Sequence, residues 1–201
     1  MDKDSIIEEL IQTISTYHSW GWSPATSTNY SFVDETSKIW VTISGIDKSR
    51  ITKKDFISID LDNTILSEDF KGSPSAETLI HCTIYKLFPE TKVILHSHGL
   101  YPNLLSSRAK NEFIFNGHEI QKGFQGEISH LNSVRIPVIE NNQEMLFFQK
   151  ELYLRKSELI YSCFAIRNHG TYAWGRNILE AKRHLETLDY LCKYEWNLIN
   201  K

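Results

Sequence analysis

Apolar positions along the chain follow two rhythms, one helical and one of strands. Ile6, Ile7, Leu10, Ile11, Ile14 and Tyr17 recur at helical spacing and predict a helix over residues 5–19, ended by Gly21 and Pro24. Residues 30–33 and 38–43 read as two strands joined by a hairpin turn, residues 55–61 as a third strand, and Asp62-Asn63 as a turn. Ser73 as N-cap and Pro74 at the first helical position predict a second helix to about Phe88, burying Leu79, Ile80, Ile84 and Leu87, with Pro89 as its stop. A short apolar strand, Val93-Ile94-Leu95, comes next, and a short helix is expected over residues 102–109. Residues 134–139 predict a strand whose Pro137 marks a sheet edge or the end of a ladder. A helix over 143–156 and a strand over 163–167 precede a long closing helix from Asn177, striped by Ile178, Ala181, Leu185, Leu188, Leu191 and Cys192. Trp196 and Ile199 either extend that stripe or face a second subunit. Strands and helices are interleaved, which predicts an α/β fold with a mixed sheet covered by helices on both faces.

Composition narrows the class. At 201 residues, with 41% apolar and 23% charged content, the chain suits one domain spanning 1–201 with a sizeable core. A net charge of −3 argues against nucleic-acid binding by general phosphate attraction. No apolar run is long enough to span a bilayer, and the N-terminus leads into an amphipathic segment without an apolar leader. Cys82, Cys163 and Cys192 are far apart and form no Cys-x-x-Cys, which fits idle thiols in a reducing compartment. The expectation is a soluble cytoplasmic protein.

The candidate chemistry starts at His96-Ser97-His98. On a strand, side chains at i and i+2 leave the same face, so both imidazoles project together. Catalytic zinc takes three protein ligands and keeps a position open, and Ala165-Ile166-Arg167-Asn168-His169-Gly170 offers a third histidine after another apolar strand. His18, His81, His130 and His184 sit in amphipathic or loop contexts that suit a solvated or core histidine, and His118 is ambiguous beside Glu119. Glu77, near the start of the second helix, and Glu119, in a turn, are both candidate acid/base groups, and the local pattern does not choose between them. The small-polar loop over 23–31 and Ser44-Gly45-Ile46-Asp47-Lys48 suit an anion site. A Lewis-acid enzyme acting on a phosphorylated carbonyl compound follows.

Six motifs in order then carry a resemblance. Pro24-Ala25-Thr26-Ser27-x-Asn29, Ser44-Gly45-x-Asp47-Lys48, Pro74-Ser75-Ala76-Glu77-Thr78, His96-x-His98, Gly117-His118-Glu119-Ile120 and Arg167-Asn168-His169-Gly170 resemble the class II aldolase/adducin-head family, over nearly the whole chain. The pattern is most similar to a dehydratase branch that removes water from 5-methylthioribulose 1-phosphate in methionine salvage. The alternative is an aldolase or epimerase working through the same enediolate, and a non-catalytic adducin-like module is disfavoured because every histidine and glutamate of the pattern is present. The resemblance implies a three-layer α/β/α sandwich with a largely antiparallel central sheet. It implies one Zn2+ per subunit on His96, His98 and His169. It implies Glu119 as acid/base and Glu77 as the base or resting metal ligand of the aldolases. It implies Asn29, Ser44, Gly45, Lys48 and Ser75 at the phosphate of a small ketose phosphate, and a homotetramer with active sites between subunits. Thr28 stands where relatives usually carry Gly.

Overall fold

The computed structural model describes residues 2–67 and 74–200. Its helices are α1 (Lys3–Ser19), α2 (Thr78–Leu87), α3 (Leu100–Ser106), α4 (Met145–Leu154) and α5 (Ile178–Ile199). Its strands are β1 (Tyr30–Val33), β2 (Ile39–Thr42), β3 (Phe56–Ile59), β4 (Val93–Ser97), β5 (Glu112–Asn116), β6 (Ser133–Ile139), β7 (Cys163–Ile166) and β8 (Gly170–Gly175). Side-chain caps hold the starts of the two longest helices. Asp2 accepts from the Ser5 N–H at 3.1 Å, and Asn177 accepts from the Glu180 N–H at 2.8 Å.

Among the described residues the strands form one sheet in the order β3-β2-β1-β4-β8-β7-β6-β5. Every pairing is antiparallel except β6 with β7, so the sheet is mixed and largely antiparallel. Alternation along the strands divides the core. Val93 and Leu95 of β4 pack with α1, α3 and α5, while Ile94 packs with α2 and α4 on the opposite face. The result is the expected three-layer α/β/α sandwich.

Several elements depart from expectation. The expected N-cap Ser73 lies outside the described residues, and α2 begins at Thr78 because Pro74 is held extended in a bridge with Ile43. Ser75 and Glu77 therefore sit in the turn that enters α2. Pro137 is not on an edge strand, since β6 pairs on both sides. It does mark the end of a ladder: pairing with β7 covers Val138 and Ile139, just beyond the residue that lacks an N–H. The edge strand β5 was not predicted, nor was β8. Gly170–Gly175 is buried along its whole length and shows no alternation to mark it as a strand.

The strands at the centre position the later chemistry. Phe164 of β7 is fully buried and stacks on Tyr172 of β8 at a centroid distance of 5.0 Å. Tyr172 stacks in turn on the His96 ring at 4.1 Å. Truncating Phe164 opens a cavity behind this stack. Phe164→Ala is expected to lower unfolding free energy by about 3–5 kcal/mol in urea titration; a loss under about 1 kcal/mol would mean that this packing carries little.

Candidate metal centre

His96 is the penultimate residue of β4 and His98 follows the strand's end, so the two rings leave the same face. His169 lies in the short turn between β7 and β8, and antiparallel pairing of β4 with β8 sets Ser97 opposite Thr171, next to that turn. Each residue of Arg167-Asn168-His169-Gly170 has a mechanical reason. Arg167 donates to the Ser106, Ala109 and Lys110 carbonyls at the end of α3 and pairs with Glu140 at 2.8 Å, anchoring the turn. Asn168 adopts φ 52°, a left-handed conformation that asparagine tolerates. At Gly170 a Cβ would run into the Ser97 carbonyl oxygen and come within 2.8 Å of His96 Cε1 and 2.9 Å of His98 Cδ2. Only glycine lets the two strands approach closely enough to bring the three rings together.

Glu77, at the N-cap of α2, completes the cluster. Its Oε1 lies 2.7 Å from His169 Nε2 and its Oε2 lies 3.6 Å from His96 Nε2. The Nε2 atoms of His96 and His98 are 2.9 Å apart. One ligand atom from each of the four residues lies within 4.8 Å of the others, a group able to hold a metal ion. Protonation favours the same use. His96 Nδ1 is 3.0 Å from the Thr171 carbonyl oxygen, so it carries the proton and leaves the Nε2 lone pair facing the cluster. Burial pushes His96 well below the ordinary imidazole range and, with His169 beside it, His98 down to about 4. Burial alone would raise Glu77, but the surrounding His96, His169 and His98 outweigh it and leave its carboxyl down at about 2. Neutral His96 and His98 beside the Glu77 carboxylate fit a divalent cation.

The cluster opens on a cleft of about 990 Å³. Ser44, Gly45 and Ser75 line it with Thr26, Ser27 and Thr28, as do Glu77, His98 and His169. Two expected phosphate contacts do not line it. Asn29 is buried with its Oδ1 2.7 Å from His81 Nε2. Lys48 is fully buried, with Nζ 3.3 Å from the Ile46 carbonyl oxygen and 3.5 Å from that of Thr26, and burial lowers it to about 8. Asn141, Asn142 and Gln143 also line the cleft and were not anticipated, although three amides in a row after β6 are a signal at a strand end.

Glu119 is the main departure. It begins a short 3₁₀ turn after β5, its side chain is 71% exposed, and it does not line the cleft of its own chain. It pairs with Lys122 and lies 3.4 Å from His130 Nδ1; Lys122 holds its carboxyl below the usual range. His118, ambiguous from sequence, packs away from the cluster against Glu195 of α5 at 2.9 Å. The three cysteines are buried free thiols, and no described helix is long and apolar enough to cross a membrane.

Several known proteins are similar to this chain in sequence or fold. The Class II Aldolase and Adducin N-terminal domain model matches residues 8–196. A methylthioribulose-1-phosphate dehydratase of Picosynechococcus sp. is 43% identical over 94% of this chain and 90% of its own length. One from Cronobacter sakazakii is 34% identical over the full length of both. The crystal structure of an L-fuculose-1-phosphate aldolase from Thermus thermophilus has the same fold, with TM-score 0.77 at 18% identity, over 97% of this chain and 94% of that one.

Two outcomes follow from the geometry. Gly170→Ala is expected to weaken divalent-metal binding about tenfold or more in a competition titration, with the far-UV spectrum preserved; unchanged affinity would mean the rings tolerate a wider strand spacing. Stability of the metal-free protein is expected to depend on pH. His98 and His81 are held down, at about 4 and about 3, so the unfolded chain takes up protons below its own value of 6.5 before the folded chain does. Unfolding free energy should therefore drop as pH falls from 6.5 towards 4, by on the order of 1 kcal/mol per pH unit per buried histidine. The Glu77 contribution is present above 4.5 and disappears as pH falls from there to about 2.

Proposed function

Because this chain belongs to the class II aldolase and adducin N-terminal domain family, we propose that it is the zinc-dependent dehydratase that converts 5-methylthioribulose 1-phosphate to 2,3-diketo-5-methylthiopentyl 1-phosphate. The observation that carries this reading is the convergence of His96, His98, His169 and Glu77 on a cleft walled by small polar loops, in a chain similar to proteins of that activity. His96, His98 and His169 hold the Zn2+. When bound, it supplies Lewis acidity that stabilises negative charge on the substrate oxygens near neutral pH.

The chain's own groups do the rest. The Thr171 carbonyl keeps the His96 ring in one tautomer, and the Tyr172 ring holds its plane. Ser44, Gly45 and Ser75 cradle the phosphate, while Lys48 supplies positive charge from beneath the loop that bears Thr26. Glu119 is the acid/base. Its carboxylate takes the proton from C3 of the substrate and returns it to the C4 hydroxyl; the C4–O bond breaks, water leaves, and the resulting enol becomes the 2,3-diketone.

In its own chain Glu119 faces solvent, so this role requires a second copy to receive it. Ile120, Ile128 and Leu131 lie beside it in sequence or next to its partner His130, and all three are exposed, Ile128 at 84%. An exposed apolar fringe around a charged group suits a subunit contact that carries Glu119 into a neighbouring cleft. A homotetramer in the cytoplasm, with its sites between subunits, meets that need.

One observation favours a second reading, an aldolase or epimerase. Glu77 stands inside the imidazole cluster, where it is itself placed to act as a base. The two readings differ in whether the C4 hydroxyl is protonated and expelled or deprotonated with cleavage of C3–C4.

Mass spectrometry of the product decides between them. Loss of one water is expected, with Glu119→Gln lowering kcat about 10²–10⁴-fold; dihydroxyacetone phosphate as product would establish the aldolase. Mixing His96→Ala with Glu119→Gln subunits, each inactive alone, is expected to restore activity. No recovery in verified mixed oligomers would place Glu119 outside any shared site.

A further inference from the structure

His81, an unremarkable core histidine by sequence, stands one helical turn after Glu77 on α2 and is fully buried. Its ring is the middle of a hydrogen-bonded chain. Tyr85 OH lies 2.8 Å from Ser31 Oγ, Ser31 Oγ lies 2.7 Å from His81 Nδ1, and His81 Nε2 lies 2.7 Å from Asn29 Oδ1. The chain thus runs from α2 across β1 to the residue that immediately precedes β1. Asn29 is also tied to the metal centre, because its carbonyl accepts the His96 backbone N–H at 3.1 Å. The preceding residue, Thr28, lines the cleft.

Burial keeps His81 neutral, down at about 3, so its ring has one N–H and one lone pair. Two directions of donation are then open. If Asn29 donates to His81, His81 donates to Ser31 and Ser31 to Tyr85. The buried Tyr85 hydroxyl hydrogen is then left without an acceptor, and Asn29 Oδ1 is unpaired as well. In the opposite direction Tyr85 donates to Ser31, Ser31 to His81 Nδ1, and His81 Nε2–H to Asn29 Oδ1. That leaves one group over, the Asn29 amide Nδ2, which has no partner among the described residues. Buried orphans cost about 1–3 kcal/mol each, so the second direction prevails.

We propose that His81 is a positioning residue, which holds the Asn29 amide so that its unpartnered N–H pair is kept for an anionic oxygen of the substrate. The proposal rests on the reading above for the identity of that anion, the phosphate of a ketose phosphate. The amide is covered in the free chain, so engagement involves a shift of Thr28. This β-branched residue sits at φ 73°, a costly left-handed conformation. Sequence-derived placement of Asn29 at the phosphate is thereby kept, with His81, Ser31 and Tyr85 added as the frame that sets its orientation.

The test begins with the wild-type zinc protein. Long-range ¹H–¹⁵N spectra are expected to show His81 as the Nε2–H tautomer, with the Asn29 side-chain amide signals shifting on titration with inorganic phosphate. An Nδ1–H tautomer, or an Asn29 amide indifferent to phosphate, overturns the proposal. Kinetics supply the second arm. His81→Phe is expected to raise KM for the phosphorylated substrate about tenfold with kcat and zinc content little changed, and His81→Gln, which restores an N–H donor, to recover much of it. An equal loss in kcat, or an unchanged KM, assigns His81 a structural role and overturns the proposal. Should wild-type protein bind phosphate at Asn29 yet leave the methylthio ketose untouched, the positioning role stands and the substrate assignment falls.

Discussion

The close antiparallel approach of β4 and β8 at Gly170 is the constraint on which the rest of the site depends. It sets a strand that carries two histidines beside a turn that carries the third, at a spacing only a residue without a side chain permits. Backbone pairing thereby does the work of orientation. Side chains delivered by rigid strands lose little further freedom when a ligand binds, so the imidazoles arrive pre-arranged. Arg167 serves the same end from outside, holding the turn to the carbonyls of Ser106 at the end of α3 and of Ala109 and Lys110 just beyond it.

Burial then gives these groups their chemistry. Buried His96 and His98 stay neutral, and the Glu77 carboxylate beside them stays ionised, so the cluster presents lone pairs and one negative charge to the cleft. The same enclosure shapes the second layer. Tyr172, stacked between Phe164 and His96, has no freedom to tilt, and His81 has no polar outlet except Ser31 and Asn29. Lys48 differs in kind: it is a buried cation whose ammonium lies 3.3 Å and 3.5 Å from two carbonyl oxygens among the described residues, and an anion in the adjoining cleft would offset its charge.

How much of this was legible in the sequence varied with the kind of signal. The helical stripes of α1 and α5 and the His-x-His strand were clear, because each is a local periodicity with a recognisable end. Strand β8 was hidden: buried on both faces, it carries no alternation, and its role depends on pairing with β4, distant in sequence. Pro74 misled for a related reason, since a favourable helix-start residue was drawn instead into an extended bridge with Ile43. At the site, the three histidines were legible as one metal-ligand set and Glu77 as a possible ligand or base; the strand approach at Gly170 that brings them together was not. Glu119 was legible as a motif, yet in the single chain it faces solvent and does not line the cleft. His81 was passed over since a core histidine and a positioning histidine look alike until their partners are seen.

The most direct test of the central claim is X-ray absorption at the zinc edge on the zinc-loaded protein. The account predicts about three imidazole nitrogens at about 2.0–2.1 Å, with the imidazole scattering reduced in His169→Ala. A sulfur shell, or a shell of oxygens alone, would contradict it and place the metal elsewhere on the chain.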